Sequence, residues 1–171
     1  MNVEIRLAEI SDAEAIAKVQ NSGWQNAYAG LIPDLVLQNL SLEARRKSWE
    51  ESIKTPPAGS QILLACIERE VQGFMGFGPS RDEEGLCKCG EIYTFYVNLE
   101  YQNRGLGKAL MKAGLNFLKA EDHSEIQLWA IEGNTLAQNW YESRGWKNEG
   151  VTRLAIWPTF EFNEIRLPLL F

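Results

Sequence analysis

The stretch EIYTFYVNLEYQNRGLGKALMKAGLNFLKA, residues 91–120, admits few folds. Glu91 to Val97 is rich in aromatic and β-branched residues, the signature of a pleated, half-buried strand. Asn98 to Asn103 is polar and breaks that pattern. From Leu106 the period changes. Leu106, Leu110, Ala113 and Phe117 fall at helical spacing, with Lys108, Lys112, Asn116 and Lys119 turned outward. A strand therefore runs through a tight loop, Gln102-Asn103-Arg104-Gly105-Leu106-Gly107, into a helix. Glycine admits positive φ and lets backbone approach a ligand closely. The free N–H groups of the helix's first turn carry roughly half a positive charge. The spacing predicts an anion site at the loop, suited to a phosphate.

Two familiar phosphate loops do not fit. A P-loop needs Lys then Ser or Thr, and Lys108 is followed by Ala109; this disfavours a nucleotide hydrolase. A dinucleotide loop needs a third glycine where Leu110 stands. What remains is Q-x-x-G-x-G between a strand and a helix.

The rest of the chain supplies more strands and helices. Val3 to Leu7 alternates as a strand. Ser11 and Glu14 have the spacing of a capping box, opening a helix through Ile16 and Val19 toward Trp24. Gly30 and Pro33 punctuate, and a second helix starts at Asp34 with Leu35, Val36, Leu37 and Leu40. Leu42 to Ile53 is a charged surface helix around Ala44, Trp49 and Ile53. After the Pro/Gly-rich loop 55–60, Ile62 to Ile67 reads as a buried strand. Glu68-Arg69-Glu70 turns, and Val71, Gly73, Met75 and Phe77 form the return strand. Ile126, Leu128 and Ala130 share one face of another strand, Glu125 to Ile131. Asn134 as N-cap and Gly145 as the residue past the C-terminus bound a helix of about ten residues. Strands near Thr152–Trp157 and Phe160–Leu167 close the chain. The order β-α-α-β-β-β-α-β-α-β-β predicts a mixed sheet with helices on both faces, an α/β (α+β) fold.

Composition narrows the function. A chain of 171 residues is expected to form a single domain over 1–171. Its net charge of −6 and pI of 4.9 disfavour nucleic acid and mildly favour a cationic substrate. Cys87 and Cys89 lack enough companions for a metal site, since His123 is the only histidine. No apolar run approaches the ~18 residues of a membrane span, and the N-terminus has no signal-peptide core. A cytoplasmic protein is expected.

A second motif gives the family. N-x-x-A-x-x-W-Y-x-x-x-G-W at Asn134 to Trp146, following Q-x-x-G-x-G in the right order, resembles the GNAT superfamily of acyl-CoA-dependent N-acyltransferases. W-x-x-A-Y-x-G-L-I-P from Trp24 resembles a branch in which this segment walls the acceptor pocket.

The resemblance implies a GNAT-like, mostly antiparallel central sheet of about seven strands, and transfer of an acetyl group from acetyl-CoA to an amine. The loop Gln102, Asn103, Arg104, Gly105, Leu106, Gly107, Lys108 would hold the pyrophosphate. The preceding strand would carry a bulge and splay from its neighbour, so that the pantetheine arm pairs with backbone at Phe95, Tyr96 and Val97. Asn134 and Ala137 would line the same arm, and Tyr141 would protonate the leaving thiolate. Glu91, which starts the central strand, resembles the general base of the histone-acetylating branch; Glu132 is the alternative, and water a third.

Trp24, Tyr28 and the acidic run Asp82-Glu83-Glu84 would shape the acceptor site. The acceptor is a small-molecule amine (polyamine, amino acid or antibiotic) or a protein amine. A non-catalytic acyl-CoA-binding module on the same fold is the competing reading. A homodimer is possible through Trp157, Phe160 and Phe162.

Overall fold

The computed structural model describes residues 2–82 and 89–170. Cys87, Glu83 and Glu84 lie outside them. Seven strands, β1 (Glu4–Leu7), β2 (Gln61–Ile67), β3 (Glu70–Pro79), β4 (Cys89–Val97), β5 (Glu125–Ile131), β6 (Thr152–Trp157) and β7 (Phe160–Leu170), form one sheet in the order β1-β2-β3-β4-β5-β7-β6. Only β4 and β5 pair in parallel; the other neighbours are antiparallel. The helices are α1 (Ala13–Ala27), α2 (Asp34–Gln38), α3 (Leu42–Lys54), α4 (Leu106–Ala120) and α5 (Thr135–Glu142). The three helical stretches read between Ser11 and Ile53 thus separate β1 from β2, one more helix than the order β-α-α-β counts.

The helices divide between the sheet's two faces. Leu106, Leu110, Met111 and Leu118 of α4 pack with Tyr141 of α5 on Leu63, Ala65, Met75, Phe77 and Ile92. On the other face, Ile16 and Val19 of α1, with Trp49 and Ile53 of α3, cover Leu64, Cys66 and Phe74. The alternation along β2 is what lets one continuous apolar run serve both cores. Each fully buried Leu of α4 contributes about 1.5–3 kcal/mol.

Two local expectations are corrected. The inner face of α4 turns toward Met111, Gly114 and Leu118, while Phe117 is 40% exposed. Gly114 allows a close approach to β3: a Cβ there would lie 1.7 Å from the end of the Met75 side chain. The start of α1 is organised by Asp12 in place of Ser11. Asp12 accepts the Glu9 N–H at 2.8 Å and takes both Arg6 Nη groups at 2.7 and 2.8 Å, whereas Glu14 pairs with Lys18.

Candidate active site

Strands β4 and β5 pair only over Cys89–Ile92 and Glu125–Leu128. Beyond that point β4 stays with β3 as far as Val97, and β5 stays with β7 as far as Ile131. The facing edges of 93–97 and 129–131 are left without a strand partner, and a gap opens in the sheet. A bulge sits at its base: Gly76 pairs with Thr94 but Phe77 with Ile92, so Tyr93 is extra. Such an insertion bends a strand and raises its twist. Phe95, Tyr96 and Val97 all lie along the open edge. Of their groups, the Val97 carbonyl accepts a hydrogen bond from Gln102 Nε2 at 3.3 Å.

The loop follows at once. A single 3-10 turn, Leu99–Tyr101, leads into Gln102. Asn103 (φ +58°) and Gly105 (φ +90°) are both left-handed. Helix α4 has no side-chain cap, and Gly105 itself is its N-cap. The first internal bond outside the loop runs from Ala109 N–H to the Gly105 carbonyl at 3.0 Å, so the amides of Leu106, Gly107 and Lys108 lack intrahelical acceptors. A Cβ on Gly105 would meet nothing within 4 Å, so the space beside the loop is open. Gly107 is tighter: a Cβ there would lie 3.3 Å from the Phe95 ring and 3.4 Å from Trp140. Arg104 and Lys108 are exposed, Arg104 lying 5.4 Å over the Tyr101 ring. Open space, uncapped amides and basic side chains suit a pyrophosphate.

Across the gap, Asn134 caps α5 by accepting the Ala137 N–H at 3.3 Å. One helical turn beyond Ala137, Tyr141 is 8% exposed, ringed by Trp140, Trp146 and Phe95 with centroids 5.3, 5.8 and 6.3 Å away. Burial pushes its phenol well above the ordinary tyrosine range, and the nearby Tyr96 adds to this.

On the opposite face the expected wall residues do come together. Trp24 is buried, with Tyr28 and Trp157 against it at 5.4 and 4.8 Å. Phe160 and Phe162 stack beside Trp157, so these three rings pack within the chain. The Tyr28 and Tyr96 hydroxyls share a hydrogen bond of 2.9 Å, and burial raises both phenols. Arg45 of α3 lies 4.3 Å over the Trp24 ring.

The carboxylates are placed differently from one another. Glu91 is fully buried, opposite Gly78 and Gln127 in the paired part of the sheet. Its oxygens accept the Arg81 N–H at 2.9 Å, Arg81 Nε at 3.0 Å and Arg81 Nη2 at 2.5 Å. Glu132 is exposed at the end of β5, where Asn163 Nδ2 donates to it at 3.1 Å. Asp82 is engaged by Arg153, Gln127 and the Trp129 indole. Sequence reasoning missed Arg81, whose role depends on a contact across a loop, and Arg45, which sits in a run of surface charges.

Residues 24–146 match the description of the acetyltransferase (GNAT) family. YuaI of Bacillus subtilis, an uncharacterised N-acetyltransferase, is 35% identical over 135 residues, spanning 77% of this chain and 73% of its own length. A spermidine N(1)-acetyltransferase of Thermoplasma acidophilum is 22% identical over 87% of this chain and 91% of its own. Among solved structures, the PaiA N-acetyltransferase of that organism in complex with coenzyme A has the same fold, with a TM-score of 0.75 at 20% identity over the whole of both chains. Among the described residues, no helix is long and apolar enough to cross a membrane.

Proposed function

Since the chain belongs to the acetyltransferase (GNAT) family, we propose that it carries the acetyl group of acetyl-CoA to a primary amine of a small molecule or protein. The observation that carries this reading is the gap between β4 and β5, flanked by the open glycine loop on one side and Tyr141 on the other. Acetyl-CoA supplies an activated acyl group as a thioester.

The chain's own residues do the rest. The amides at 105–108 and the side chains of Arg104 and Lys108 hold the pyrophosphate, with Gln102 and Asn103 shaping the turn. The free edge at Phe95, Tyr96 and Val97, with Asn134 and Ala137 opposite, takes the pantetheine amides as an added strand would be taken. Tyr141 keeps its proton at neutral pH, because burial disfavours the phenolate. It hydrogen-bonds to the sulfur as negative charge develops there and supplies the proton to the departing thiolate. Trp24 and Tyr28 wall the acceptor side.

An alkylammonium, with a pKa near ~10.4, must lose a proton before it attacks. Glu91 and Glu132 are the two carboxylates for this step. The three donors from Arg81 occupy Glu91, so it anchors that segment, and we assign proton removal to the exposed Glu132, directly or through water. Glu132→Gln is expected to lower turnover without loss of stability.

The test is calorimetric titration with acetyl-CoA, followed by thiol release with a panel of polyamines, amino acids and peptides. Binding with amine-dependent thiol release is the expected result. Absence of acetyl-CoA binding to folded protein would overturn the reading.

A further inference from the structure

Five arginines among the described residues are paired with carboxylates: Arg6, Arg46, Arg81, Arg153 and Arg166. Arg45 is not. It is half-buried, it lies over Trp24 at 4.3 Å, and no carboxylate among the described residues comes within ion-pair distance. Its neighbour Arg46 takes both carboxylates that α3 offers nearby, Glu43 and Glu50. Residues three and four positions from Arg45 are Ser41, Leu42, Ser48 and Trp49, so the helix gives it no counter-ion. Burial without a partner works against its charge.

The surroundings repeat the same polarity. The Trp24 indole Nε1 is buried and faces the Tyr96 hydroxyl without completing a hydrogen bond of good geometry. The Tyr28 and Tyr96 hydroxyls bond to each other, which uses one O–H and leaves the second free to donate. A guanidinium, an indole N–H and a phenol O–H thus gather where no carboxylate among the described residues pairs with the guanidinium. Val36 and Leu40 pack beside Trp24.

We propose that the acceptor is an amine that also bears a carboxylate, and that Arg45 binds the carboxylate. A carboxylate only accepts hydrogen bonds, has two oxygens matched to the guanidinium fork, and brings the single charge that one arginine balances. The overall charge of −6 favours a cation at long range, whereas the half-buried, unpaired Arg45 beside Trp24 favours an anionic group at the wall. This rests on the acetyltransfer reading above, whose acceptor it specifies.

The test compares free amino acids with their carboxamides, and with spermidine, by acetyl-CoA-dependent thiol release. In the unmodified protein the carboxylate form should be preferred by about tenfold or more in kcat/KM, the scale of one charge-assisted hydrogen-bond pair. In Arg45→Met that ratio should fall toward one, and in Arg45→Lys it should be partly kept. Calorimetry of the same pairs on the CoA-loaded protein gives a readout that does not need turnover. Equal binding and turnover of acid and amide by the unmodified protein, a preference for spermidine, or an acid preference that survives in Arg45→Met would overturn the proposal. Thiol release from no amine, with acid still bound over amide, would overturn acetyl transfer and keep the carboxylate site. Should Arg45→Met fail to fold, the unmodified protein's ratio and Arg45→Lys decide.

Discussion

The hydroxyl of Tyr28 stands 2.9 Å from that of Tyr96, across 68 residues of sequence. Gly23 makes the approach possible: a Cβ there would lie 2.5 Å from the Tyr96 ring, so helix α1 can rest on β4 only where it has no side chain. The pair joins the end of the α1 segment, the proposed acceptor wall, to the splayed strand. In a double-mutant cycle with Tyr28→Phe and Tyr96→Phe, the two hydroxyls should couple by about 1 kcal/mol in urea unfolding. Additive effects would mean that the bond contributes nothing.

Gly105 combines φ +90° with open space on its Cβ side. Gly105→Asp should therefore cost only the left-handed strain of about 1–2 kcal/mol in stability. It also puts a carboxylate into the loop proposed to hold the pyrophosphate. Acetyl-CoA affinity should fall sharply in a protein that still folds, as read by calorimetry beside circular dichroism. Unchanged affinity would remove the loop from the cofactor site.

Much of this was legible in the sequence, and the exceptions share a cause. The strand, loop and helix at 91–120 and the fenced helix after Asn134 follow from period, glycine position and capping, all local properties. The spacing assigns Phe117 to the inner face of α4, where Leu118 lies instead, because the rotation of the helix is set by its packing on β3 around Gly114 and Met75. The resemblance offers Glu91 as a base from its offset; that Arg81 follows β3 and donates to it is a contact no spacing reveals. Arg45 looked like one more solvated charge, and only the packing of α3 on α1 brings it over Trp24.

The Arg6–Asp12 pair gives stability a pH dependence of known sign. The two hydrogen bonds from Arg6, and after them the Glu9 N–H, hold the Asp12 carboxyl below the usual carboxylate range. A depressed folded-state value means stabilisation that is present above the unfolded value of about 3.9 and lost as pH falls through the folded one. Arg6→Met should cost about 1–3 kcal/mol at neutral pH. The difference from the unmodified protein should shrink as pH drops below about 4. Urea titrations at several pH values check it; a difference independent of pH would assign the loss to packing of the arginine stem.

Glu91 is fully buried and Arg81 is its cation. Removing one member of such a pair leaves an uncompensated charge, at a cost of about 3–5 kcal/mol for a fully buried pair and less here because the Arg81 side chain is 57% exposed. Arg81→Met should lower the unfolding midpoint clearly. Glu91→Gln should likewise act on stability before it acts on turnover. A Glu91→Gln protein of unchanged stability with turnover reduced a hundredfold or so would return the base to Glu91.

Tyr141→Phe keeps the ring within its cage of Phe95, Trp140 and Trp146 and removes the hydroxyl alone. If this phenol protonates the departing thiolate, turnover should fall by about 10- to 1000-fold, the range for one proton-transfer group. Acetyl-CoA affinity should change little, since the contribution arises as charge develops on sulfur. The loss should appear in kcat and only weakly in the Michaelis constant for acetyl-CoA. The pH profile adds an independent check. Burial raises the folded-state phenol, so Tyr141 stays protonated up to and beyond the unperturbed value of about 10. Any stability it lends through that shift is complete below about pH 10 and fades as pH rises toward the folded value. No alkaline fall in kcat below about pH 10 should trace to this residue, and Tyr141→Phe should leave the profile's shape there unchanged while lowering it throughout. Equal turnover in the two proteins, with chemistry shown to be rate-limiting, would leave Tyr141 as a packing residue and assign thiolate protonation to water.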